Sequence, residues 1–229
     1  GVTLASENSL PGEFLYPIKI KISEGVRSVL ALSDEAKANL EVRLAERRID
    51  EAEKLAEKGK LDNGKRAELT KKLANHREMA RVKIADLEAK DNYEKAAEAD
   101  SNLEIALRTR AKIISENFDK EEEDDEKENS NEDREEKTER MAVALMSSSG
   151  ESDNKDSKEI RGWRKAAENK IAEVAKFIEK KASTTPEGLE AFAKLKIAQE
   201  KFAEAQTKKQ LKEAHRIAEE AKRMLKMLH

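Results

Sequence analysis

The chain has 229 residues, of which 41% are charged and only 3% aromatic, with eight Gly, three Pro and no Cys. That profile excludes a thick aromatic core, disulfides, thiolate zinc sites and cysteine nucleophiles, and favours helices with narrow apolar stripes and broad solvated faces. The formal net charge of −3 is unevenly spread: Asp119 to Arg140 holds 13 acidic and 5 basic residues, residues 1–118 hold 22 of each sign, and residues 141–229 hold 14 acidic and 19 basic. An acidic middle therefore meets a mildly basic C-terminal part, which favours contact between them or with oppositely charged partners, weak under screening unless multivalent. No run of about 18 apolar residues exists, so no stretch of the sequence is suited to cross a bilayer as a helix.

In chain order, Gly1 to Ser9 is small and polar and starts without Met, as expected where a signal or anchor segment has been removed. Pro11-Gly12 marks a turn, and Pro17 biases Tyr16 towards an extended conformation before a helix that begins near Ile18. Leu10, Phe14, Leu15 and Tyr16 are expected to plug the open end of a bundle. A short helix from Ile18 to about Ala31 then has Ile22, Val26, Val29 and Leu30 as its apolar side.

Ser33 is a good N-cap, with Asp34 and Glu35 favourably placed in the first turn of a helix that runs to about Lys58 and ends at Gly59. It is expected to bury Leu40, Leu44, Ile49, Ala52 and Leu55. After a turn at Asp62-Asn63-Gly64, Leu69, Leu73, His76, Ala80, Ile84 and Leu87 form one stripe at spacings of three and four. Asp91-Asn92 breaks that helix, and a third shows Tyr93, Ala96, Asp100, Leu103, Leu107, Ala111 and Ile114 on one side.

From Asp119 the periodicity stops, and no apolar residue follows until the island Met141 to Met146. A segment this polar cannot bury enough surface to offset the entropy of ordering, so residues 119–156 are read as an acidic, low-complexity, flexible linker. Beyond it, Ile160, Trp163, Ala167, Ile171, Val174 and Ile178 define a helix stopped before Thr184-Thr185-Pro186. Pro186 opens a second with Leu189, Phe192, Leu195, Ala198 and Phe202. A turn near Thr207 leads to a coiled-coil-like seam of Leu211, Ala214, Ala218, Ala221, Leu225 and Leu228.

With such short connections, successive helices must be antiparallel. The expectation is an all-α protein of antiparallel helical bundles, two three-helix units joined by an acidic low-complexity linker. Its parts are an extended leading segment (1–17), an N-terminal helical bundle (18–118), the acidic flexible linker (119–156) and a C-terminal three-helix unit (157–229). Whether the two units dock is left open by the sequence.

The candidates for chemistry favour structural roles. His76 lies on a stripe beside Arg77 and Glu78 with no His or Cys three or four residues away, so it reads as a hydrogen-bonded structural histidine; zinc needs three or four convergent groups. His215 flanks the last seam and His229 ends the chain, and neither has a His partner at helical spacing. Asp100 reads as an interhelical salt bridge to Lys83 or Arg81, in preference to a functional acid with a raised pKa. The acidic run lacks an Asp-x-Asn-x-Asn-Gly loop and a bidentate Glu at the required spacing, which leaves diffuse counter-ion binding.

Basic pairs at Lys180-Lys181, Lys208-Lys209 and Lys222-Arg223 are interleaved with Glu, and the aromatics belong to apolar stripes, so nucleic-acid binding is disfavoured. Membrane-surface docking by an amphipathic helix is disfavoured on the ground that bundle packing needs the apolar faces. Gly-x-Gly-x-x-Gly, phosphate-loop, Gly-x-Ser-x-Gly and His-Glu-x-x-His motifs are absent. Consequently no catalytic, cofactor-binding or metal residue is assigned, no cofactor is expected, and the chain is not expected to be an enzyme.

Asn8-Ser-Leu-Pro-Gly-Glu-Phe-Leu-Tyr-Pro-Ile-Lys19, followed by Val26-Arg27, Leu32 to Ala38, Leu44 to Arg48 and Glu51 to Ala56, resembles a bacterial domain-of-unknown-function family. Its members begin with Leu-Pro-Gly-x-x-Leu-Tyr-Pro-x-Lys just after a membrane anchor or signal segment and continue as an extracytoplasmic helical domain. The likeness covers residues 6–90, extending at most to 117, and departs from the common pattern at Glu13 and Phe14. It implies placement at the cell envelope, membrane-anchored or secreted, and no activity. The function expected is a non-enzymatic interaction or scaffolding module with a protein partner and no small-molecule substrate. The alternatives are an envelope cation-binding or sensing protein using the acidic stretch, and a weak nucleic-acid or anionic-surface binder through the C-terminal helices.

Overall fold

The computed structural model describes residues 7–121, 158–181 and 185–226, and every described element of regular structure is helical. The fold is all-α. Most of the expected linker, with its apolar island, lies outside the described residues, as do Leu228 and His229.

An N-terminal arm leads the described chain. Leu10 is buried, and Gly12 takes φ 90°, a conformation that admits glycine far more readily than other residues. The arm continues as α1 (Tyr16–Ile18), a π-helical turn (Lys19–Glu24) and α2 (Gly25–Leu30). Tyr16 is thus the first helical residue and not extended, although Pro17 follows it. The local bias is overridden by burial of the Tyr16 ring and hydroxyl against the next helix.

Ser33, in extended conformation, accepts a hydrogen bond from the Ala36 amide at 3.0 Å and starts α3 (Asp34–Glu57). The helix closes as the amides of Gly59 and Lys60 bond the carbonyls of Ala56 and Leu55, with Gly59 at φ 60°. Asp62 caps α4 (Asn63–Ala89) by accepting from the Lys65 amide, so Asn63 and Gly64 form its first turn and not the expected loop. Asp91 takes φ 59° while the Asn92 amide reaches back to Leu87, and α5 (Tyr93–Glu121) departs from there. The C-terminal helices are α6 (Lys158–Lys181), α7 (Pro186–Glu204, capped by Thr185) and α8 (Lys208–Lys226).

Helix α3 packs along α4 and α5, and α8 packs along α6 and α7. The two units dock, with α5 lying against both α6 and α8. Ala38, Val42, Ile84, Ala97 and Leu103 of the first unit share one buried cluster with Ile160, Trp163, Ala166 and Leu211 of the second. Alanines dominate this contact and let the helices approach closely. The clearest case is Gly162, where a Cβ would fall 2.2 Å from Cδ2 of Tyr93. The α8 seam at Leu211, Ala214, Ala218, Ala221 and Leu225 is wholly buried.

One stripe expectation fails and another holds only in part. In α7, Leu195 and Ala198 of the expected stripe are buried and Phe202 packs against the core, but Leu189 and Phe192 are exposed, because Gly188 and Ala191 carry the packing at that end. In the arm, Phe14, Ile22, Val26, Val29 and Leu30 are all exposed, while Lys19 and Glu24 are buried. The arm is amphipathic, but it turns its ionic side to the protein.

Candidate functional site

The inverted arm rests on a buried ionic cluster. Arg48 and Glu51 project from α3, exposed by only 1% and 2%, on the line Leu44, Arg48, Glu51, Leu55. Their 4-3-4 spacing places them within the apolar stripe. The Tyr16 hydroxyl donates to Glu51 Oε2 at 3.0 Å and accepts from Arg48 NH1 at 3.2 Å and from Lys72 Nζ of α4 at 3.3 Å. Lys19 Nζ lies 2.5 Å from Glu51 Oε1 and donates to the Ser9 carbonyl at 2.9 Å. Arg48 also pairs with Glu24, which Arg47 approaches at 3.5 Å. In an α-helix, residues five apart sit about 140° from one another. The wider i→i+5 winding of the π turn brings Lys19 and Glu24 towards one side.

Burial, then the Glu51 carboxylate, drives the Tyr16 pKa far up and keeps the phenol protonated as a donor. Burial pulls Lys19 below its ordinary value against the opposing pull of Glu51. Groups held this way fix geometry and leave little freedom for proton transfer. The polar groups of Tyr16 and Lys19 are therefore consumed in clasping the arm to α3.

A second polar seam joins the two units. Three consecutive residues of α5 reach α8: Asp100 accepts from Lys212 Nζ at 3.1 Å, Ser101 Oγ lies 2.7 Å from His215 Nδ1, and Asn102 accepts from Arg223 NH2 at 2.7 Å. Asp100 thus makes an interhelical salt bridge, but not with Lys83 or Arg81. Lys83 pairs with Asp86 in its own helix, and α8 supplies the partner because the units dock along α5.

Behind the seam, Lys170 bridges Glu173 and Glu219 at 3.0 Å each, and Lys222 pairs with Glu173 at 2.6 Å. Burial works against the Lys170 charge, but these carboxylates outweigh it and raise the pKa. His215 is pushed down to about 3 by burial and then by the neighbouring Lys170 charge, so it is neutral. Trp163 Nε1 is buried without a hydrogen-bond partner among the described residues, while Lys212 and Lys208 lie 4.9 and 5.9 Å from the ring centroid.

His76 is half-buried and its Nδ1 lies 2.8 Å from Glu41 Oε2. Of the basic clusters, Lys208 is engaged by Glu88 and Glu159, and Lys222 by Glu173. Among the described residues, no group of three or more His, Asp or Glu is placed to hold a metal ion, and no helix is long and apolar enough to cross a membrane. An open hollow of about 250 Å³ beside the arm is lined by Asn8, Ser9, Glu13, Phe14 and Leu15.

Sequence reasoning missed the burial of Arg48, Glu51 and His215 and the contact at Gly162. For the first three a signal was present: Arg48 and Glu51 interrupt an apolar 4-3-4 line, and His215 stands between Leu211 and Ala218 at the same spacing. For Gly162 there was none, since its partner lies in another unit.

Neither the curated proteins nor the solved structures give a match to this chain. Residues 8–104, which span the arm, α3, α4 and the first part of α5, are similar to the family described as Domain of unknown function (DUF5667).

Proposed function

We propose that the chain is a non-enzymatic helical interaction or scaffolding module, displayed outside the bacterial cytoplasmic membrane and recognising a protein partner. One observation carries this reading: the Leu-Pro-Gly-x-x-Leu-Tyr-Pro-x-Lys motif commits Leu10, Tyr16 and Lys19 to internal fixing, while large apolar side chains stand outward on long helices. A motif used this way serves architecture. Outward residues such as Met79 and Val82 on α4, and Leu189, Phe192 and Ile197 on α7, are available to a partner.

The absence of Cys makes placement directly testable. A single cysteine introduced as Lys60→Cys, at the exposed turn after α3, should react with a membrane-impermeant maleimide on intact cells. Labelling only after lysis would overturn the extracytoplasmic reading. For the partner, a photo-crosslinking residue at Phe192 should give a discrete adduct with one protein, and one at exposed Lys165 should not.

A further inference from the structure

Ile22, Val26, Val29 and Leu30 fall within about 100° of one another around the arm helix. They are exposed by 48%, 53%, 76% and 71%, with Phe14 (92%) before them and Leu32 (87%) after. Singly exposed apolar residues are ordinary, but a cluster of this kind marks a binding surface. The face is a helical ridge that packing among the described residues does not use.

Charge indicates what covers it. The single acidic residue of the helical arm, Glu24, is turned inward to Arg48, leaving Lys21 and Arg27 as the outward charges. Glu7 is shared between Arg27 at 3.0 Å and Arg47 at 3.2 Å, one carboxylate against two guanidinium groups. A second copy of the chain on the same ridge would bring a second Lys21 and Arg27 to the contact. An anionic surface that also accepts apolar side chains satisfies both features. The ionic clasp holds the inward side in place beforehand, so the ridge is presented without any cost of folding on contact.

We infer that the arm helix seats on an anionic lipid bilayer, with Val26, Val29, Leu30 and the flanking Phe14 entering the headgroup boundary and Lys21 meeting lipid phosphates. This goes beyond the proposed placement and partner, because purified chain and vesicles read it whichever compartment the chain occupies.

The test is flotation of the full chain with vesicles of phosphatidylcholine containing phosphatidylglycerol, against vesicles of phosphatidylcholine alone. Co-flotation is expected with the anionic vesicles and should weaken in high salt. The double substitution Val29→Asp, Leu30→Asp should lower vesicle affinity at least about tenfold. Both sites face solvent, so helicity and the unfolding midpoint should be unchanged. Lys21→Gln should lower affinity about fivefold. Absence of flotation by the unmodified chain, or equal flotation of the double variant, overturns the inference. Self-association abolished by the same double substitution, without flotation, overturns it in favour of a second copy. An acidic protein that competes for the ridge while vesicles do not bind overturns it in favour of that partner.

Discussion

The clasp under the arm and the seam between the two units bury polar groups by opposite strategies. Beneath the arm, full charges of both signs (Lys19, Glu24, Arg48 and Glu51) are enclosed together, and the apolar side of the helix is left in solvent. At the seam, alanines, Gly162 and Trp163 form the contact, and the polar groups added to it are a serine, a neutral histidine and half-buried pairs at its margin. A buried ionic cluster gains little net stability over apolar packing, but it holds only where the geometry satisfies each charge, and losing one member is costly. The arm is thus held for orientation, whereas the seam is built for adhesion.

The largest effect that separates the two is expected at the clasp. Arg48→Met leaves Glu24 and Glu51 buried without their shared cation and should cost about 3–5 kcal/mol in urea unfolding. A cost near zero would mean that the carboxylates are solvated and the clasp is loose. Next comes Gly162→Ala. At an ordinary helix position this exchange stabilises by about 1 kcal/mol, but against the Tyr93 ring it should destabilise by about 1–3 kcal/mol. The penalty should vanish in a Tyr93→Ala background, and a stabilising outcome would sink the close-contact account.

The seam should also respond to acid through His215. His215 has a folded-state value near 3 against an ordinary 6.5, so below 6.5 the unfolded chain binds the proton that the folded chain refuses. Stability is then lost as pH falls from about 6.5 towards 3, at up to about 1.4 kcal/mol per pH unit. Lys170 and Lys222 disfavour the imidazolium, and Glu173, held below its ordinary range by Lys222 and Lys170 despite burial, opposes them only in part. The difference between the unmodified chain and His215→Gln, followed by chemical denaturation across this window, isolates the term. Parallel curves would remove His215 from the account. The smallest effect is the cap: Ser33→Ala should cost about 1 kcal/mol, since the Ala36 amide loses its acceptor, and should leave both regions otherwise alike.

Much of the helical layout was legible in the residues. Ser33, Gly59, Asp91 and Pro186 mark helix ends through capping and left-handed or proline geometry, which are local properties. The stripes of α3, α6 and α8 were read correctly because apolar residues at three and four spacing need one buried side. The same reasoning failed at the arm and at Leu189. At the arm the apolar side was identified but the ionic side carries the contacts, whereas in α7 the stripe is displaced to Gly188 and Ala191 at its start while Leu195 and Ala198 pack as expected. At Asp100 the residue type and the kind of interaction were right, and the partner came from a helix more than a hundred positions away.

A helix pattern states which residues share a side of their own axis, because that depends only on 3.6-residue winding. It therefore established the all-α class, most of the helix ends and the apolar faces of α3, α6 and α8. It could not state which element each side meets. The inward turn of Lys19 and Glu24, the docking of α5 on α6 and α8, and the fit of Gly162 to Tyr93 are pairings between distant segments, set by charge and shape complementarity that exist only once the helices are brought together.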